Sequence, residues 1–213
     1  MKMIDNEVKQ FLNAVDSPAP APGGGSVSAL VSALGVCLLR MVGHLTIGKK
    51  KFSAFPEDEQ KAFLDEFARL EGIRGQLEEE IDKDTIAFNK VMAAYKLPKE
   101  TEEEQAMRKN AIEMATKEAI ETPYQAAVAA ASALSGLDLL LKIGNKNAIS
   151  DLGVAVLLLA AGIEGALFNV RINLPVLSDE KLRNTYKEQC DKILAYTNLQ
   201  KTDLLNKVYK ILV

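Results

Sequence analysis

An all-α fold of about six helices follows from three observations. No segment of the 213-residue chain alternates apolar and polar residues as a half-buried strand does. Apolar residues recur instead at helical spacing over most of its length. Two stretches, Val27 to Leu45 and Leu152 to Val170, are apolar on nearly every face. Such a helix is buried in a large protein core or in lipid. Arg40 and His44 in the first, and Glu164 and Asn169 in the second, favour a core. One chain has few ways to surround two such helices, so a subunit interface is expected to cover part of them. With 48% hydrophobic and 26% charged residues, the sequence reads as one soluble globular domain over 1–213.

Residues 3 to 16 carry Ile4, Val8, Phe11, Leu12 and Val15 on one helical face. The helix stops at Ser17, because three prolines and three glycines follow. Pro20-Ala21-Pro22 then runs into Gly23, Gly24 and Gly25, which can adopt positive φ and admit a ligand close to the main chain. Ser26 is placed to cap the first buried helix, which runs to about Thr46 and ends near Lys49, Lys50 and Lys51. The first turn of that helix offers free N–H groups to an anion or a carbonyl-rich ring.

After a break at 52–56, Glu57 to about Tyr95 reads as one long helix. Its stripe is Leu70, Ile73, Leu77, Ile81, Asp84, Phe88, Val91 and Tyr95. Asp84 is a carboxylate inside an apolar stripe, and an unpaired buried charge costs several kcal/mol. Either an N–H or lysine partner satisfies it structurally, or it is a pocket carboxylate with an altered pKa. Leu97-Pro98 ends the helix. Thr101 to Glu104 is a capping box for the next one, whose acidic first turn suits the helix dipole. That helix is expected to reach Ile143 with a kink at Pro123. Gly144 terminates it, and Ser150 or Asp151 is expected to cap the second buried helix. Helix termination needs at most one of Asn145 and Asn147. Asn169 and Asn173 share a face near the end of the second buried helix. A last helix covers Ser178 to about Leu212.

Several functions are disfavoured. The net charge of −3 gives no overall basic field for nucleic acid, and aromatic–basic interleaving is absent. The glycines are not GxGxxG, and no GK[ST] closes them into a phosphate loop. One histidine, His44, nearly excludes a histidine metal site. Cys37 and Cys190 form no CxxC, so neither a disulfide framework nor a thiolate metal site is expected. The amino terminus lacks an apolar signal core. The expected location is the cytoplasm, with no membrane partner.

Taken together, the segments resemble the formimidoyltetrahydrofolate cyclodeaminase and methenyltetrahydrofolate cyclohydrolase family over about residues 3 to 210. The resemblance rests on Pro20 to Ser26, Thr46-Ile47-Gly48-Lys49-Lys50-Lys51-Phe52, Asp84 with Ala87-Phe88, and Pro123. It continues through Gly144 to Asn147, Ser150 to Ala155, Gly165-Ala166, and Asn169 to Leu174. It implies an all-helical dimer that binds a tetrahydrofolate derivative as substrate near the subunit interface, with no permanently bound cofactor and no metal. In larger bifunctional relatives such a domain follows a formiminotransferase.

On that resemblance, Asp84 or Asp151 is expected as the acid/base group, with Lys49 as a further catalytic candidate. Lys49 and Lys50 are expected to pair a carboxylate or hold the folate glutamate tail, and a lysine would lower the pKa of a neighbouring aspartate. The Gly23 to Ser26 backbone and Phe88 would contact the ligand. Asn145, Asn147, Asn169 and Asn173 would supply amide contacts to the pterin. Formimidoyltetrahydrofolate cyclodeamination is the expected reaction. Methenyltetrahydrofolate cyclohydrolysis is the alternative, and a non-catalytic folate-binding dimer is the reading from another class.

Overall fold

A computed structural model describes Met3 and residues 7–212. Among the described residues there is no strand. Seven α-helices follow in order: α1 (Val8–Val15), α2 (Gly24–Thr46), α3 (Glu57–Tyr95), α4 (Glu102–Leu134), α5 (Leu137–Ile143), α6 (Ile149–Asn173) and α7 (Glu180–Leu212). The all-α expectation holds. Ile4 and the expected helix start at 3–6 lie outside the described residues, apart from Met3.

The two apolar stretches, α2 and α6, form an antiparallel central pair. Small residues let their backbones approach. A Cβ at Gly162 would lie 2.1 Å from Ser32 Oγ and 2.8 Å from Ser28 O. The Ser28 and Ser32 hydroxyls donate to carbonyls one turn back, Gly24 O and Ser28 O, so these buried polar atoms are satisfied inside α2. α3 runs antiparallel to α2 on its other side and pairs with α4, while α7 covers α4 and α6. Leu39, Leu77, Leu134, Leu159, Ile163 and Leu167 fill the space between them, each almost fully buried.

The helix ends test the local reading. α3 has the expected bounds, and Thr101 and Glu104 form the expected capping box of α4. Gly144 ends α5 as expected, although with φ −58° rather than a left-handed conformation. The helix expected to run unbroken to Ile143 is interrupted at Ser135-Gly136. An ion pair from α3 packs against the break: Arg69 Nη2 bonds Glu66 at 2.7 Å and donates to Ser132 O at 3.0 Å. A Cβ at Gly136 would meet Glu66 Oε1 at 1.9 Å.

α4 continues through Pro123. Proline has no N–H for the carbonyl four residues back. That carbonyl, Ala119 O, instead receives Asn173 Nδ2 from α6 at 3.4 Å.

Three further expectations are corrected. Ser26 does not cap α2; Gly23 is the cap residue, and Ser26 lies in the first turn, where its groups serve Asp84. The glycines at 23–25 do not use positive φ; among the described residues only Gly48 does, at 77°. Neither Ser150 nor Asp151 caps α6, because a 3-10 turn at Lys146–Ala148 leads directly into it from Ala148.

Much apolar surface stays uncovered within one chain. Leu34, Met41 and Leu45 on α2 are 49%, 36% and 40% exposed, and Val154, Leu157 and Phe168 on α6 are 45%, 48% and 60% exposed. By length and composition, Gly24–Thr46, Glu102–Ile143 and Lys146–Val176 are each apolar enough to cross a membrane. In the first of these, the Arg40 guanidinium donates to Phe67 O and pairs with Glu71 within the chain.

Candidate functional site at two ends of one helix

The expected site residues fall into two groups. Gly23, Gly24, Gly25, Ser26, Asp84, Phe88, Asn169 and Asn173 gather at the start of α2. Lys49, Lys50, Asn145, Asn147 and Asp151 lie near its end. Ser26 and Thr46 are about 30 Å apart at the helical rise of 1.5 Å per residue.

At the first end, Asp84 comes from the middle of α3 and is set against the open N-terminus of α2. Its Oδ2 accepts the Ser26 backbone N–H at 2.8 Å and lies 3.0 Å from the Ser26 hydroxyl. The absence of a side chain at Gly25 makes room for it, since a Cβ there would stand 2.0 Å from Asp84 Oδ1. Burial pushes the Asp84 carboxyl up from its ordinary value, and the two Ser26 hydrogen bonds only partly offset this. No lysine contributes. The N–H partner of the structural reading and the altered pKa of the functional reading are therefore both present.

Ser26 gives this carboxyl a way to change protonation state. Its hydroxyl has one proton and three oxygen neighbours: Ile81 O at 2.9 Å, Asp84 Oδ2 at 3.0 Å and Thr85 Oγ1 at 3.3 Å. With Asp84 ionised, the hydroxyl donates to the carboxylate. With Asp84 protonated, it turns to Ile81 O and accepts.

The neighbouring asparagines line the same end. A Cβ at Gly24 would lie 3.1 Å from Asn169 Nδ2. Asn169 Nδ2 donates to Gly165 O at 2.8 Å, and Asn173 Nδ2 to Asn169 O at 2.9 Å. Asn173 Nδ2 also approaches Ala119 O of α4 at 3.4 Å, whereas Asn169 uses one of its two amide N–H groups and can offer the other together with its carbonyl oxygen. Phe88 is half-buried one turn beyond Asp84.

At the second end, Gly48 turns the chain, and Lys49 to Lys51 project from exposed positions. They border a cleft of 520 Å³ with Phe52, Phe55, Lys142, Asn145 and Asn147. Asn145 is held by structure. Its N–H donates to Thr46 Oγ1 at 2.9 Å, its Nδ2 to Leu45 O at 3.4 Å, and its Oδ1 accepts Asn147 N–H at 3.0 Å. It ties the loop before α6 to the end of α2. Asp151 is half-buried in the first turn of α6 and is not among the residues lining the cleft.

The sequence reading passed over Glu80. This carboxylate is 5% exposed, one turn before Asp84 on α3, and its partner is Lys83 Nζ at 3.1 Å. Burial pushes it up as well, with Asp84 adding to the effect. Its signal was available: residues 77, 80, 81 and 84 fall on one helical face.

Fold and site together define a helical protein with a half-buried carboxyl, raised above its ordinary value, at a glycine-rich helix start and a lysine-lined cleft at that helix's far end. The chain belongs to the Formiminotransferase-cyclodeaminase family, whose profile matches residues 7–192. It is 37% identical over 194 residues to a methenyltetrahydrofolate cyclohydrolase of Methylorubrum extorquens, covering 91% of each chain. It is 32% identical to the formimidoyltransferase-cyclodeaminase of Rattus norvegicus, covering 93% of this chain but 36% of that one. The chain thus spans about a third of the rat protein's length. The crystal structure of formiminotetrahydrofolate cyclodeaminase from Thermotoga maritima superposes with a TM-score of 0.77 at 30% identity, covering 97% of this chain and 96% of that one.

Proposed function

We propose that the chain is a cytoplasmic homodimeric enzyme acting on the carbon between N5 and N10 of tetrahydrofolate, as a formimidoyltetrahydrofolate cyclodeaminase. The observation that carries this reading is the Asp84 carboxyl, raised by burial and held against the N-terminus of α2 by Ser26. In the proposed reaction, N10 attacks the carbon of the protonated formimidoyl group, whose nitrogen becomes an amine, and Asp84 takes the N10 proton. The tetrahedral intermediate then expels the amine. Asp84 returns the proton to that amine, ammonia leaves, and the 5,10-methenyl bridge forms. A carboxyl that titrates nearer neutrality than usual suits both transfers, and Ser26 follows each change of state. Holding N10 against the carbon is the other requirement, which binding by the glycine-rich backbone serves. No metal or permanently bound cofactor takes part.

A homodimer is favoured because the two groups of site residues lie at opposite ends of α2. An exposed apolar stripe, Leu34, Met41 and Leu45, connects them. Two copies packed antiparallel through this stripe would bring the lysine end of one to the Asp84 end of the other. The folate would then lie between Asp84 of one subunit and Lys49 and Lys50 of the next, with its glutamate carboxylates at the lysines. The same packing would cover the apolar faces of α2 and α6 with protein rather than lipid.

The 37% identity to a cyclohydrolase, over 91% of both chains, favours a second reading. There, water attacks the methenyl carbon and Asp84 accepts one of its protons; Asp84 returns that proton to N5 as the C–N5 bond opens, and the remaining hydroxyl proton leaves to solvent, giving 10-formyltetrahydrofolate. Methenyltetrahydrofolate absorbance separates the two. Its appearance from formimidoyltetrahydrofolate, with ammonia release, is expected for the cyclodeaminase. Its loss faster than in buffer marks the cyclohydrolase. Neither change, with folate still bound, would leave a binding protein and remove both readings.

A further inference from the structure

Between α1 and the N-terminal half of α2 lies a groove of 930 Å³, a volume typical of small-molecule pockets. Phe11 and Leu12 of α1 form one wall, Val27, Leu30 and Val31 of α2 the other, and Ile81 of α3 lies at its end. That end adjoins the site. Val27 follows Ser26, the Ile81 carbonyl neighbours the Ser26 hydroxyl at 2.9 Å, and Asp84 is one turn beyond Ile81. Two polar residues, Asn13 on α1 and Asp16 at its C-cap, stand among the apolar lining, both exposed. α1 itself is poorly explained by packing, since Phe11 is its one buried residue while Val8 and Leu12 are 79% and 60% exposed. A short helix with so little burial gains little by itself from lying where it does.

We propose that this groove is the pterin pocket of the site and that α1 is its outer wall. The inference rests on the folate reading above. A fused ring is flat and apolar on its faces, which suits walls of valine and leucine. Its 2-amino-4-oxo edge presents adjacent N–H donors and a carbonyl. A carboxylate accepts two parallel N–H bonds, and an amide both donates and accepts, so Asp16 and Asn13 match that edge. With the ring edge on α1, the N5–N10 end of the ligand points along the groove to Ile81 and hence to Asp84.

The test is titration calorimetry of the intact protein with tetrahydrofolate, using p-aminobenzoylglutamate, which lacks the pterin, as control. Val31→Phe narrows the groove, and Asp16→Ala removes an exposed carboxylate with no packing role. Each is expected to weaken tetrahydrofolate binding at least about tenfold, to leave p-aminobenzoylglutamate binding unchanged, and to keep the sedimentation behaviour of the parent. Unchanged tetrahydrofolate affinity in Asp16→Ala, which does not disturb the core, overturns the proposal. So does a Val31→Phe protein that loses self-association together with binding, because the groove would then hold a second copy of the chain. The activity reading fails separately. If the parent protein turns over neither folate while both variants weaken tetrahydrofolate binding, the pocket stands and the enzymology falls.

Discussion

Asp84 is subject to two opposed effects, and burial is the larger. Ser26 offers it two hydrogen bonds, which favour the charged form, yet desolvation leaves the carboxyl titrating above its ordinary 3.8. A raised carboxyl contributes its full stability below the unfolded value and loses it as pH rises through the folded one. Asp84→Asn stays neutral throughout. Its melting temperature relative to the parent should therefore shift in its favour between about pH 3 and pH 7. A constant difference across that range would show that Asp84 is not raised. The same variant is expected to lose about 10²- to 10⁴-fold in kcat with the fold intact, the usual worth of a positioned acid/base group. Circular dichroism beside the absorbance assay reads both. Gly25→Ala reaches the same carboxyl sterically. With a Cβ 2.0 Å from Asp84 Oδ1, either α2 or the carboxylate must move. Overpacking of this kind costs about 1–3 kcal/mol, so both melting temperature and kcat should fall, whereas Asp84→Asn lowers kcat without that stability loss at neutral pH.

Pro123 and Asn173 show how one helix is completed by another. The proline leaves Ala119 O without its helical donor, and Asn173 Nδ2 approaches it from α6 while also bonding Asn169 O. Asn173→Ala should therefore destabilise the parent by about 1 kcal/mol, the net worth of such a bond. In a Pro123→Ala background, where residue 123 regains its N–H, the loss should be smaller, and a double-mutant cycle by urea denaturation measures the coupling. Zero coupling would mean that Asn173 does not serve the carbonyl. What the sequence could disclose follows the same division between local and distant causes. α3 was legible to the residue because a long apolar stripe, Pro56 before it and Pro98 after it act locally. The capping box at Thr101 was legible for the same reason. The break at Ser135-Gly136 was not, since the groups packed against it, Glu66 and Arg69, come from another helix. Ser26 was read as a cap because a serine after glycines ordinarily is one. Its true partner is 58 residues away, and only Asp84's place in the stripe hinted at a need for one. Asn145 looked like a ligand group, yet it fastens α2 to the loop before α6.

At the scale of the molecule, the sequence conceals distance. The glycines and lysines read as one motif because they flank one segment, but that segment is a 23-residue helix, and at 1.5 Å per residue its ends are about 30 Å apart. A single folate spanning Asp84 and Lys49 then calls for two chains. Charge placed in the stripe ties assembly to chemistry: Met41→Glu, at a position 36% exposed that lines neither the groove nor the lysine cleft, should give a monomer by sedimentation and, with it, loss of turnover, since a charge in an apolar contact is not tolerated. The stricter test mixes two inactive proteins. Asp84→Asn lacks the acid/base group and Lys49→Ala lacks its charge at the far end. Subunits allowed to exchange form mixed dimers in half of cases, and each mixed dimer holds one site with both defects and one with none. Recovery of about a quarter of the parent activity is expected from an equal mixture if each site draws on both chains. If each site lay within one chain, every site in the mixture would carry one defect, and no activity would return however long the subunits exchanged.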